Sequence, residues 1–215
     1  MSPLPRPSSI EARVLSGEDG YYVAGMYELS APYQVSIFCW FAFEIGLLVR
    51  DLVRGKGRSG RDRGTRWIVV LSLGAAIVLA WLVPGRVPEA ATPAPVGFAV
   101  AGLVVMWTGL AVRAWAVLTL GGSFSTYLQV AADQAVVTRG PYRWVRHPSY
   151  TGLLLIGLGF GIGASNWLSL VICAVMPPLG LLPRIAVEES ELVGVLGDRY
   201  RSYQSQTYRL VPGLW

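Results

Sequence analysis

Charge is what this 215-residue chain has least of: Asp, Glu, Lys and Arg make up 14% of it, while 53% is hydrophobic. Soluble domains carry about 25% charged residues. Mean hydropathy is +0.48, and the apolar residues come in long blocks instead of periodic stripes, which argues against a soluble fold. Histidine is scarcer still. A single one, His147, rules out a histidine-rich metal centre, and no metal ligands are expected. The two cysteines, Cys39 and Cys173, lie inside apolar blocks and read as small packing residues, with no disulfide framework. Also missing is any strand–GxGxxG–helix unit, so no Rossmann domain is expected. The start, MSPLPRPSSIEARVLSGEDG, lacks the basic-then-apolar order of a cleaved leader and reads as part of a flexible polar tail over residues 1–30.

What is present is a series of apolar runs. A bilayer core of about 30 Å calls for roughly 20 apolar residues per helix, with shorter spans possible. Five candidates follow: Tyr33–Val49, Trp67–Val83, Val96–Leu118, Pro148–Ala164 and Trp167–Leu182. The expected fold is all-α and integral to the membrane, with about five transmembrane helices. Only Ser165 and Asn166 separate the last two spans, which predicts a helical hairpin, and Pro177-Pro178 is expected to bend or break its second arm. Beyond Pro183 the spacing of Ile185, Val187, Leu192, Val195 and Leu196 predicts an amphipathic cytoplasmic helix ended by Gly197. The chain divides into the tail, two N-terminal spans with their loop over 31–95, and a core over 96–215.

Basic residues in short loops set orientation. RDLVRGKGRSGRDRGTR, between the first two spans, holds seven Arg/Lys against two Asp. Next to membrane spans this patch is read as a topology signal and a contact for anionic lipids, not for nucleic acid. A cytoplasmic loop here puts the net-negative N-terminus outside, and five spans return residues 119–147 and the C-terminus to the cytoplasm. Both of those segments are arginine-bearing. An inner or plasma membrane location with a cytoplasm-facing site is the expectation.

The polar residues that membrane packing does not explain gather on that inner side. Within GGSFSTYLQVAADQAVVTRGPYRWVRHPSYTG, Pro148 suits the first turn of a helix, where its missing N–H costs nothing. Free N–H groups at such a mouth favour a carboxylate or phosphate. By itself RHPSY could equally be a basic, aromatic membrane anchor.

Four pieces in order carry a resemblance: GGSFS, TRGPYRWVRHPSYTG, Arg184 followed by Glu188-Glu189, and LGDRYRSYQSQTYRLVP. Together they resemble the isoprenylcysteine carboxyl methyltransferases and related membrane phospholipid methyltransferases, over about residues 108 to 212. That family works without a soluble Rossmann domain. The resemblance implies S-adenosylmethionine as cofactor, contacted by Gln129, the backbone of Val137, Thr138 and Gly140, Tyr142, Arg146, His147, Tyr150 and Glu189. It also implies catalytic roles for Arg184 and Glu189, and Arg113 with Arg184 as substrate-binding residues. These residue types suit the ligand: a sulfonium and an ammonium want a carboxylate and aromatic faces, and a carboxylate wants arginine. Methyl transfer is an in-line displacement, so the residues' task is alignment and exclusion of water. A carboxylate acceptor needs no base; an amine or thiol would, and Glu188 or Glu189 is nearest.

Other readings stay open. Glu188, Glu189 and Glu191 could be a solvated helix face, with Glu188 the i,i+4 partner of Arg184. Glu44 and Arg113 are both intramembrane charges, and a structural pair competes with substrate binding. GLGFGIG, from Gly157, reads as small-xxx-small helix packing. The acceptor is expected to be lipophilic and to come from the bilayer. Two alternatives remain: an NADPH-dependent membrane reductase of the sterol-reductase type, and a noncatalytic scaffold or transporter.

Overall fold

The computed structural model describes residues 18–54, 64–124 and 135–213, excepting the side chains of 18–30. Six helices are present among them: α1 (Glu18–Val53), α2 (Thr65–Leu82), α3 (Pro95–Leu120), α4 (Pro148–Gly163), α5 (Trp167–Leu196) and α6 (Asp198–Gln206). Described residues form no β-strand, only two isolated bridges. The all-α integral-membrane expectation holds. Length and composition qualify α2, Pro95–Ser123 and α5 to cross a bilayer; α4 is apolar but shorter. Large apolar side chains on the outer faces of these helices, such as Trp81, Val104 and Leu179, and Phe38 on α1, are exposed, as lipid contact requires.

Two boundaries differ from the sequence reading. α1 begins at Glu18, so no element boundary falls at residue 30. α5 runs unbroken through Pro177, Pro178 and Pro183 to Leu196, joining the fifth span and the amphipathic segment into one 30-residue helix. Neighbouring helices in a membrane can take up what proline frees, so the prolines do not end it. Pro177 is fully buried, and the adjacent turn at Gly180 lies against Ser72 of α2. Gly197, at φ 59°, does end the helix.

α1 packs on α3, while α2 packs on α5 and α4. Glycines let α3 and α4 approach closely: a Cβ on Gly109 would meet Gly152 O at 2.7 Å, and one on Gly159 would meet Met106 N at 2.6 Å. The hairpin between α4 and α5 is closed by Asn166, whose Oδ1 accepts from the N–H groups of Leu168 and Ser169 and whose Nδ2 donates to Val87 O. Connectivity then puts the start of α2, the end of α3, the start of α4 and the last turns of α5 at one end of the bundle.

Candidate active site

That end holds a polar corner built around the mouth of α4. Pro148 opens the helix at its first position, and the N–H groups of Tyr150 and Thr151 donate to His147 O. Residues 207–210 lie alongside 144–147: Arg146 N–H donates to Tyr208 O at 2.7 Å, His147 N–H to Arg209 O at 3.0 Å, and Tyr208 N–H to Trp144 O at 3.0 Å. The Thr151 hydroxyl donates to Leu210 O. This strap returns the chain after α6 to the site.

Glu189, 5% exposed, is a hub for cations. Arg146 Nε donates to Oε1 at 2.9 Å, His147 Nε2 lies 3.3 Å from the same oxygen, and Arg209 Nε donates to Oε2 at 3.0 Å. Arg146 Nη1 also donates to the carbonyls of Gln204 and Thr207, so this guanidinium stitches α5, the strap and the α4 mouth together. Two sequence-distant segments, His147–Tyr150 and Arg184–Glu189, therefore touch directly.

A second network faces inward. Tyr150 donates to Glu188 Oε2 at 2.6 Å and accepts from Arg184 Nε at 3.2 Å; Arg184 Nη1 donates to Thr65 Oγ1 at 3.2 Å. The His147 and Tyr150 rings stack, 5.5 Å between centroids. Across the corner the Tyr203 hydroxyl donates to Tyr142 O at 2.7 Å. Burial pushes the Tyr203 phenol up to about 12 and raises those of Tyr142 and Tyr200, so all three stay neutral near pH 7.

These groups line a cavity of about 550 Å³, within the usual range for small-ligand sites, about 300–1,000 Å³. Its polar end carries Tyr142, Arg146, His147, Tyr150, Arg184 and Glu188; its apolar arm runs between α1 and α2, past Trp40, Phe41, Ile45, Val70, Leu73 and Val78. Trp40 and Leu73 are buried, whereas Phe41, Ile45, Val70 and Val78 are about half exposed.

The residues singled out in the sequence separate accordingly. Arg113, Val137, Tyr142, Arg146, His147, Tyr150 and Arg184 line the cavity. Glu189 stands behind it, and its neighbour Glu188 faces it. Thr138 is exposed, and Gly140, at φ 59°, packs against Thr119 and Trp115. Gln129 lies outside the described residues. Arg113 is engaged by Glu44 through two bonds, Nε to Oε1 at 2.5 Å and Nη2 to Oε2 at 2.7 Å, and its Nη1 donates to Ser149 Oγ at 2.6 Å. The sequence reading missed Thr65, Arg66, Tyr200 and Tyr203 at the site. Tyr200 and Tyr203 sit inside a quoted motif, but Thr65 and Arg66 belong to a region that carried no resemblance.

Residues 100–194 match the sequence model of the isoprenylcysteine carboxyl methyltransferase family. Among curated relatives, a protein-S-isoprenylcysteine O-methyltransferase of Tribolium castaneum is 34% identical over 113 residues, 52% of this chain and 40% of that protein. The Arabidopsis thaliana enzyme A is 33% identical over 52% of this chain and 57% of its own length, and the Schizosaccharomyces pombe enzyme 32% identical over 48% and 45%. The alignments thus span about half the length of these relatives. A solved structure described as the eukaryotic intramembrane Ras methyltransferase, an isoprenylcysteine carboxyl methyltransferase, superposes with a TM-score of 0.56 at 28% identity, covering 67% of this chain and 52% of that one. From residue 100 to residue 194 the chain matches the isoprenylcysteine carboxyl methyltransferase family in sequence, on a fold similar to that of a solved member.

Proposed function

We propose that the protein is an integral-membrane, S-adenosylmethionine-dependent methyltransferase that esterifies a carboxylate on a lipophilic acceptor. The observation that carries this reading is the continuity of one cavity from a cationic, aromatic corner to an apolar slot between α1 and α2. The relatives described above, each named as an O-methyltransferase of isoprenylated cysteine, support the same chemistry.

The residues fit the cofactor. Glu188 offers a carboxylate at the cavity wall, while Tyr142, Tyr200 and Tyr203 give neutral aromatic faces for a sulfonium or an adenine. Glu189 is paired with both Arg146 and Arg209, so the role of this trio is to hold His147 and the strap in place. When bound, S-adenosylmethionine supplies a methyl group on a positively charged sulfur. Arg184 holds the acceptor's carboxylate, which is already the nucleophile, so no side chain need remove a proton. Glu188 and the three tyrosines would hold the cofactor so that its methyl, which would leave the sulfur without that bond's electron pair, could reach the carboxylate oxygen held by Arg184. His147, Tyr150 and the buried walls exclude the water that would compete. The acceptor's chain lies in the α1/α2 slot, open toward the bilayer, and the corner faces the cytoplasm, as the basic loop before α2 favours.

The direct test is to supply methyl-labelled S-adenosylmethionine to the purified chain in nanodiscs, with N-acetyl-S-farnesylcysteine as acceptor and NADPH binding as control. Base-labile label on the acceptor, with no saturable NADPH binding, is the expected result. Saturable NADPH binding without methyl transfer would sink the proposal.

A further inference from the structure

The family match begins at residue 100, yet one contact to Arg184 comes from well before it. Thr65 is the first residue of α2, immediately after the basic loop, and is 5% exposed. Its hydroxyl accepts from Arg184 Nη1 at 3.2 Å, a buried bond across 119 positions of sequence. On the other side, Tyr150 accepts from Arg184 Nε at 3.2 Å and passes its own proton toward Glu188.

A guanidinium held at Nε alone can still pivot about that bond. A second acceptor at Nη1, on a different helix, fixes its plane, and the fork geometry of arginine makes the plane matter for binding a carboxylate. Tyr150 and Thr65 meet it through neutral hydroxyls, which orient the cation. Thr65 lines up with packing that is already rigid: α2 lies along α5, with Ser72 against Gly180 one turn from Arg184.

We infer that Thr65 is a positioning residue of the methyltransferase site, through which the N-terminal helix pair sets the orientation of Arg184 toward the acceptor. The inference rests on the reading that Arg184 faces the acceptor's carboxylate. A plain packing role for Thr65 would be shape-dependent, whereas a positioning role is hydroxyl-dependent, and the two separate by substitution.

The test uses the full chain in nanodiscs, S-adenosylmethionine, and N-acetyl-S-farnesylcysteine as the probe. Thr65→Val keeps the branched shape and removes the hydroxyl; it lowers kcat/KM for the probe about tenfold, the size of one hydrogen bond to a charged group. Cofactor Kd and melting temperature stay near those of the parent. Thr65→Ser recovers most of the loss. With Arg184→Ala, adding Thr65→Val lowers the rate no further, because the group it positions is gone. A full-rate Thr65→Val beside an impaired Arg184→Ala overturns the inference alone, as does a Thr65→Val penalty that persists undiminished without Arg184. A full-rate Arg184→Ala, or a parent chain that neither binds nor methylates the probe, overturns the reading of the site and the inference with it.

Discussion

Two arginines line the same cavity and are held in different ways. Arg113, on α3, is gripped by the Glu44 carboxylate through a two-bond fork and by Ser149. Arg184, on α5, is held by the hydroxyls of Tyr150 and Thr65, with Glu188 on the far side of Tyr150. A bidentate carboxylate satisfies a guanidinium and cancels most of its field; a hydroxyl orients it and cancels nothing. Apolar surroundings amplify that difference, because screening there is weak. Arg113 therefore fastens α1 to α3 and α4, while Arg184 is oriented at the cavity wall by hydroxyls from α4 and α2.

The largest effect expected from this contrast is in Arg184→Ala. Methyl transfer to a carboxylate acceptor falls about 100-fold, matching the roughly 2–5 kcal/mol lost when a buried charge contact is truncated. Cofactor affinity, read by calorimetry, changes much less. Parallel loss of cofactor binding would mean that Arg184 serves the cofactor instead. Next comes Glu44→Ala, which strands Arg113 in an apolar setting and costs about 3 kcal/mol of stability, seen as a lower melting temperature in detergent. Glu44→Ala paired with Arg113→Ala should cost less than Glu44→Ala alone; an equal or greater cost would break the distinction drawn between the two arginines. The smallest effect belongs to Arg209→Gln. Its side chain is 34% exposed and Glu189 keeps Arg146 and His147, so about 1 kcal/mol is expected. A loss comparable with that of Glu44→Ala would mean that the strap, not Arg146, holds the corner together.

Much of the helical framework was legible because membrane helices announce themselves in composition alone. Asn166 and Gly197 mark their turns by side-chain capping and by a left-handed backbone, both readable locally. The three prolines of α5 misled, since their cost depends on what neighbouring helices supply, and that is tertiary information. Choosing between Glu188 and Glu189 was a matter of register. Adjacent helical residues point about 100° apart, and the i,i+4 relation of Glu188 to Arg184 was the clue that both share the cavity face. Thr65 and Arg66 escaped because no local pattern distinguishes a hydroxyl or a cation at a helix start that meets a site from one that meets water. The Glu44–Arg113 fork was foreseeable as two charges too deep to stand alone, though only packing could say that Ser149 would join them.

The half-exposed rims of the cavity's apolar arm, at Phe41, Ile45, Val70 and Val78, have a practical corollary. Surrounding hydrocarbon completes the wall that protein leaves unfinished, so the solvent is a structural partner of the pocket. Apparent affinity for a hydrophobic ligand is then set by its mole fraction in the surrounding lipid as much as by its molarity, and changing the detergent or the acyl-chain length amounts to altering the pocket itself.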